Sequence, residues 1–141
     1  MILEFKGEYA FLSNFYHAPF TLDRKTYPTV EHYFQAQKSK DLKDFQKILS
    51  AKSPGEAKSL GRKVKLRSDW DQIKDDIMFH GVYAKFDQNE DIQYKLISTS
   101  THILKEGNNW GDTYWGVDLK TGEGKNMLGK ILMRCRELFI N

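Results

Sequence analysis

Three residues in one short segment have the types and spacing for proton-transfer chemistry. Glu31, Gln35 and Lys38 stand at i, i+4 and i+7, so on a helix they share one face. The neighbouring set Val30, Tyr33, Phe34 and Gln37 lies beside that face and partly overlaps it. Two descriptions fit the spacing. In one, Glu31 complements the helix dipole from the first turn and forms solvated surface with Lys38. In the other, a carboxylate and an amine stand at the wall of a cleft, where desolvation moves both toward neutral pKa values.

Other reactive residue types give weaker signals. His32 sits one step round the same helix, and the four histidines (17, 32, 80 and 102) have no metal-ligand spacing. Neither a metal nor a cofactor is therefore expected. Cys135, the single cysteine, falls on an apolar helical stripe and reads as inert core. Arg62, Lys63, Lys65 and Arg67 form a basic cluster that is either a solvated loop or a phosphate clamp, for which arginine is geometrically suited. Trp110 and Trp115 bracket Asp112 in a glycine-rich stretch that packing alone explains poorly. The loop from Gly122 to Asn126 can offer backbone amides to an anion. No nucleophile elbow, P-loop or dinucleotide fingerprint occurs.

These residues need elements to hold them. Ile2–Phe5 reads as a short strand, and Phe20–Leu22 and Tyr27 flank a turn. Thr29 should cap a helix carrying Glu31, and Leu42, Phe45, Ile48 and Leu49 mark the next one. Ser53-Pro54-Gly55-Glu56 is the sharpest local signal: serine caps, proline presets the first turn, and glutamate reaches back to the cap amide. Gly61 should end that helix in the left-handed conformation. Ser68 to Asp71 repeats the capping pattern before the longest helix, through Ile73, Ile77, Met78 and Ala84. Asn89 should cap a helix with Ile92, Leu96 and Ile97. Thr101–Leu104 and Tyr114–Leu119 look extended, and Leu128 to Phe139 closes the chain as an amphipathic helix. The pattern predicts one compact α+β domain over residues 1–141, mostly helical with short strands.

Length and composition agree. The chain has 141 residues, 40% of them hydrophobic, which suits a single domain with its own core. Twenty-two basic against 19 acidic residues give +3, too little for an extended nucleic-acid surface. With no apolar run long enough to span a membrane and no signal-like start, a soluble cytoplasmic protein is expected. Aromatic residues reach 13%. Phe34, Phe45 and Phe139 belong to helix stripes, whereas Phe15, Trp110 and Trp115 lie in polar loops suited to a flat ligand.

At Glu31-His32-Tyr33-Phe34-Gln35-Ala36-Gln37-Lys38 the chain resembles the signature of the NADAR family of YbiA-like N-glycosidases. Further blocks follow in order: Phe11 to Phe15, Ser53-Pro54 with Ala57-Lys58 and Gly61-Arg62, Trp70-Asp71 with Met78, Lys85-Phe86, Asp112 with Trp115-Gly116, and Gly124 with Asn126, Leu128-Gly129 and Leu132-Met133. The resemblance implies cleavage of an N-glycosidic bond between a phosphorylated ribose, or ADP-ribose, and an exocyclic aromatic amine. Ribosylamino-pyrimidine intermediates of riboflavin synthesis and ADP-ribosylated guanine in DNA both qualify, so the expected partner is a small-molecule or nucleobase substrate. It further implies Glu31 as general acid/base and Lys38 as its electrostatic partner or as a Schiff-base nucleophile. Asp112 would orient water or the ribose hydroxyls. Ser13, Asn14, Phe15, Gln35, Arg62, Trp115, Gly116 and Asn126 would hold the substrate. Two departures from the pattern, Val117-Asp118 in place of a glycine and a slightly longer stretch before Asp112, bear on the leaving group. A module that binds ADP-ribose or a nucleotide without cleaving it is the alternative, which the joint presence of Glu31, Lys38 and Asp112 disfavours.

Overall fold

A computed structural model describes all of Met1–Asn141. As expected, the architecture is α+β and mostly helical, with a few short strands. The chain divides into two compact units, Asn14–Asn89 and Met1–Ser13 with Glu90–Asn141.

In the first unit, β1 (Phe20–Leu22) pairs antiparallel with β2 (Lys25–Tyr27). Asp23 and Arg24 between them have φ of 49° and 68°, the conformation that a two-residue hairpin loop requires. The hairpin places Phe20 and Tyr27 against Tyr33, with ring centroids 5.2–5.8 Å apart. Helix α1 (Val30–Ala36) opens on Thr29, whose hydroxyl accepts the His32 amide at 3.1 Å. Every residue of α1 is buried, so the helix has no solvated face. His32 is a satisfied structural residue: its ring nitrogens lie 2.8 Å from Thr29 Oγ1 and 2.9 Å from the Ala51 carbonyl.

Helix α2 (Leu42–Leu49) is capped by Asp41, and its buried residue is Ile48. Leu42, expected on the apolar stripe, is exposed. Helix α3 (Pro54–Gly61) is capped by Ser53 as its motif predicts. Glu56, however, accepts the amide of Lys52 and not that of the cap residue. Gly61 differs from expectation too: its φ is not positive, and the chain leaves α3 through Arg62 in a right-handed conformation. Helix α4 (Trp70–Asp87) is the longest, but neither Ser68 nor Asp69 caps it through a side chain. The Asp69 carboxylate instead takes two bonds from the Arg67 guanidinium, at 2.6 and 3.1 Å.

The second unit contains a 3₁₀ turn (Gly7–Leu12), α5 (Glu90–Ser98), β3 (Gly107–Asn108), β4 (Val117–Asp118) and α6 (Met127–Ile140). Its core includes Ile92, Leu96, Leu104, Leu128, Leu132 and Cys135, and burial pushes the Cys135 thiol up to about 12. The expected strand at Ile2–Phe5 is reduced to one parallel bridge between Ile2 and Leu104. The strand expected over Tyr114–Leu119 is only Val117–Asp118, paired parallel with β3. The reason is local: the amides of Tyr114 and Trp115 donate to the Asp112 carboxylate and leave the ladder. No helix is long and apolar enough to cross a membrane.

Candidate active site

Glu31 is only 7% exposed and Gln35 only 4%, which excludes the solvated-surface description of this face. One turn of α1 brings the two together, and Gln35 Nε2 donates to Glu31 Oε2 at 2.6 Å. That distance is short for an N–H···O bond. The Glu31 amide, at the open end of the helix, donates to the Asn14 carbonyl at 3.1 Å. The Asn14 side chain turns to α4, with Nδ2 3.4 Å from Met78 Sδ. Phe15, next along, is 44% exposed.

Lys38 lies beyond the helix that its spacing suggested. Helix α1 ends at Ala36, and the Lys38 amide turns back to the Gln35 carbonyl at 3.2 Å. Arg67 fixes this turn: its amide donates to the Lys38 carbonyl at 2.9 Å, and its guanidinium reaches the Gln37 carbonyl at 3.4 Å. One arginine of the basic cluster is therefore structural. Lys38 is half-buried, and burial lowers its pKa. The Glu31 carboxylate pulls it back up, while Arg62 and Lys58 push it down. These four side chains thus form one electrostatic neighbourhood, with Lys58 and Arg62 one turn apart at the end of α3. The influence of Lys58 on Lys38 escaped the sequence reading, although its i, i+4 spacing to Arg62 was visible.

The burial of Lys85 was also missed. It is 1% exposed, with Nζ 4.9 Å from the centroid of Phe86 and 5.7 Å from that of Tyr16. Burial brings its amine down to about 7. The available signal was its place on the buried face of α4, with Met78 and Val82.

The second unit holds Ser13, Asp112, Trp115, Gly116 and Asn126. Ser13 closes the 3₁₀ turn, its amide donating to the Ala10 carbonyl at 2.9 Å. Asp112 Oδ1 accepts the amides of Tyr114 at 3.1 Å and Trp115 at 2.9 Å. Buried Asn108, which the sequence does not single out, organises the same loop. Its Oδ1 accepts the amides of Trp110 and Asp112, and its Nδ2 donates to the Asp112 carbonyl. Asn126 has φ 54° and spends its side chain on the Glu106 amide and the Leu104 carbonyl, at 3.0 and 2.9 Å. Its backbone amide donates to the Gly116 carbonyl at 3.2 Å. A Cβ on Gly116 would overlap the Glu106 carbonyl oxygen, so that close approach needs glycine. Trp110 is 59% exposed. A separate cavity of about 390 Å³ in this unit, near Tyr9, Lys95 and His102, contains none of the candidate residues.

Residues 4–139 match the NADAR domain. The chain belongs to the NADAR family. It is 41% identical over 132 residues to the N-glycosidase YbiA of Escherichia coli strain K12, covering 92% of this chain and 81% of that protein. It is 38% identical over 131 residues to the riboflavin biosynthesis protein VVA0006 of Vibrio vulnificus, covering 92% of this chain but 35% of that one. The NMR structure of E. coli YbiA superimposes with a TM-score of 0.89 at 38% identity, covering 99% of this chain and 85% of that one. Helix α1, which buries the Glu31 carboxylate, lies within the matched residues.

Proposed function

We propose that this NADAR protein is an N-glycosidase that cleaves the bond between C1 of a 5-phosphorylated ribose and an exocyclic aromatic amine. The observation that carries the reading is the buried Glu31, bonded by Gln35, in the electrostatic neighbourhood of Lys38, Lys58 and Arg62. A proton donor beside a group of cations suits a substrate that must accept a proton at nitrogen and carries a phosphate.

In the proposed reaction Glu31 gives its proton to the amine nitrogen as the C1–N bond breaks, and the bonding pair leaves with the amine. Water adds to C1, and its proton returns to Glu31. Such a proton transfer is worth typically about 10²–10⁴-fold in rate. Lys38 responds to the charge of Glu31. The same burial that lowers its pKa enriches the neutral amine that a Schiff base with C1 of the ring-opened sugar would need. Borohydride trapping under turnover separates these roles: a covalent adduct at Lys38 assigns it the nucleophile, and no adduct leaves it the electrostatic one.

Arg62 and Lys58 are assigned the phosphate, Asn14 a hydrogen bond to the ligand, and Phe15 a stacking surface. Ser13, Asp112, Trp115, Gly116 and Asn126 complete the assignment, Asp112 toward water or the ribose hydroxyls and Trp115 toward the base. Asn126 already uses both polar side-chain atoms on backbone, which favours loop support over ligand contact.

Ribosylamino-pyrimidine phosphates of riboflavin synthesis and ADP-ribosylated guanine in DNA share the required linkage. The name of the Vibrio relative favours the first. Offering both to the purified protein, with Glu31→Gln alongside, tests the reading. The expected result is hydrolysis of at least one, lost by a factor of about 10²–10⁴ in the variant. Wild-type turnover by Glu31→Gln overturns the acid/base assignment.

A further inference from the structure

Gln35 is a buried amide used on one side only. Nε2 donates to Glu31, whereas Oε1 is buried with no hydrogen-bond partner. Native structures rarely tolerate a buried acceptor without a donor, so something must keep the carboxamide from turning away. The surroundings of Gly61 supply it. A Cβ at position 61 would overlap Gln35 Oε1 and lie 2.8 Å from its Cδ and 3.1 Å from its Cβ. The φ of Gly61 is not positive, so the conformational freedom of glycine is not what this position uses. Within α3 an alanine would also be the better helix former. The glycine therefore works against its own helix, and what it provides is the missing side chain.

The helix-weakening glycine, the unpartnered oxygen and the short Gln35–Glu31 bond have one explanation. We infer that Gly61 and Gln35 are a positioning pair for Glu31: the glycine leaves the slot in which the carboxamide lies, and the carboxamide fixes Glu31 Oε2. The sequence set Gln35 on the substrate; here it acts through Glu31. The inference rests on the reading of Glu31 as the acid/base. A donor aimed at one carboxylate oxygen also favours the ionised form, so its removal has a titration signature that a merely structural role lacks.

The test compares wild type, Gln35→Met and Gly61→Ala, each followed by carboxyl-carbon NMR titration of Glu31 and by hydrolysis as a function of pH. Methionine keeps the length of glutamine without its donor; alanine at 61 keeps the donor but fills its slot. Both variants should raise the Glu31 pKa by about one unit, and the limb of the kcat/KM profile that reports Glu31 should move with it. Both should lower kcat by about tenfold, within the range seen for small misplacements of reacting groups. The double variant should be no worse than either single one. An unshifted Glu31 titration in Gln35→Met overturns the inference, as do additive losses in the double variant. If Gly61→Ala fails to fold, Gln35→Met decides alone. Glu31→Gln keeps the two readings apart. If it is inactive while Gln35→Met titrates like wild type, only the positioning pair falls. If it is active, the acid/base reading falls whatever the titrations show.

Discussion

Asn108 and Gln35 are both buried side-chain amides, yet they are used in opposite ways. Asn108 places its oxygen on two backbone amides and its nitrogen on a backbone carbonyl. Gln35 gives its nitrogen to a carboxylate and leaves its oxygen without a partner. The contrast extends through the two units. In the loop-bearing unit Asn126, Asp118 and Arg136 also bond backbone groups, standing in for the ladder that two-residue strands cannot supply. In the helical unit the buried polar groups include a carboxylate, its amide and a lysine whose amine burial holds near 7. The first arrangement stabilises the fold. The second places ionisable groups where burial shifts their titration, as the side chains of functional sites often are.

The largest effect should come from Lys85. Its amine titrates at about 7 in the folded chain, against an ordinary value of 10.5. Between those values the unfolded chain holds a proton that the folded chain lacks, so stability rises with pH across the window. The full span corresponds to on the order of 4–5 kcal/mol. Lys38, lowered for the same first cause, adds in the same direction. Tyr33, pushed up to about 12 by burial, opposes them only above pH ~10, the ordinary tyrosine value. Urea denaturation of wild type and Lys85→Met from pH 7 to 9.5 reads the term directly. The variant's relative stability should fall by about 1.4 kcal/mol per pH unit as the wild type gains. A difference that does not change with pH would erase the contrast drawn for the helical unit.

The next effect sharpens the other side. Asn108→Ala removes one donor and one acceptor that hold the Trp110–Asp112 turn, and should cost about 1–3 kcal/mol by leaving buried backbone groups unpaired. Faster amide exchange at Trp110 and Asp112 should accompany it, since their amides lose their acceptor. Gln35→Met removes an amide of similar burial and should cost less, because an unpartnered oxygen leaves with it. Equal losses in the two variants would mean that both units treat buried amides alike.

Sequence reading succeeded where the cause is local. Thr29 and Ser53 cap at fixed offsets, and the i, i+4 spacing of Glu31 and Gln35 placed them together. It failed where a partner arrives from elsewhere in the chain. Lys38 left the helix because Arg67 binds the turn after Ala36. Gly61 looked like a left-handed cap because nothing near it in sequence reveals Gln35. Asn108 is indistinguishable by type from Asn109 beside it until the loop closes around its side chain. The strands shrank for a reason that is local and was still missed: Asp112 takes the amides that would have extended β4.

The smallest change in stability belongs to Asp112, and it is the most discriminating. Its Oδ1 accepts the amides of Tyr114 and Trp115, a geometry that the side-chain oxygen of asparagine can reproduce. Asp112→Asn should therefore stay within about 0.5 kcal/mol of wild type, whereas Asp112→Ala should lose about 1 kcal/mol with the two bonds. Activity divides the possibilities further. If the carboxylate only builds the loop, Asp112→Asn hydrolyses substrate as wild type does and Asp112→Ala raises KM. If its charge orients water or the ribose hydroxyls, as proposed, Asp112→Asn loses kcat while its melting temperature stands still. The second pattern would give the loop-bearing unit a catalytic group of its own, held by the same backbone bonds that otherwise set it apart from the helical one.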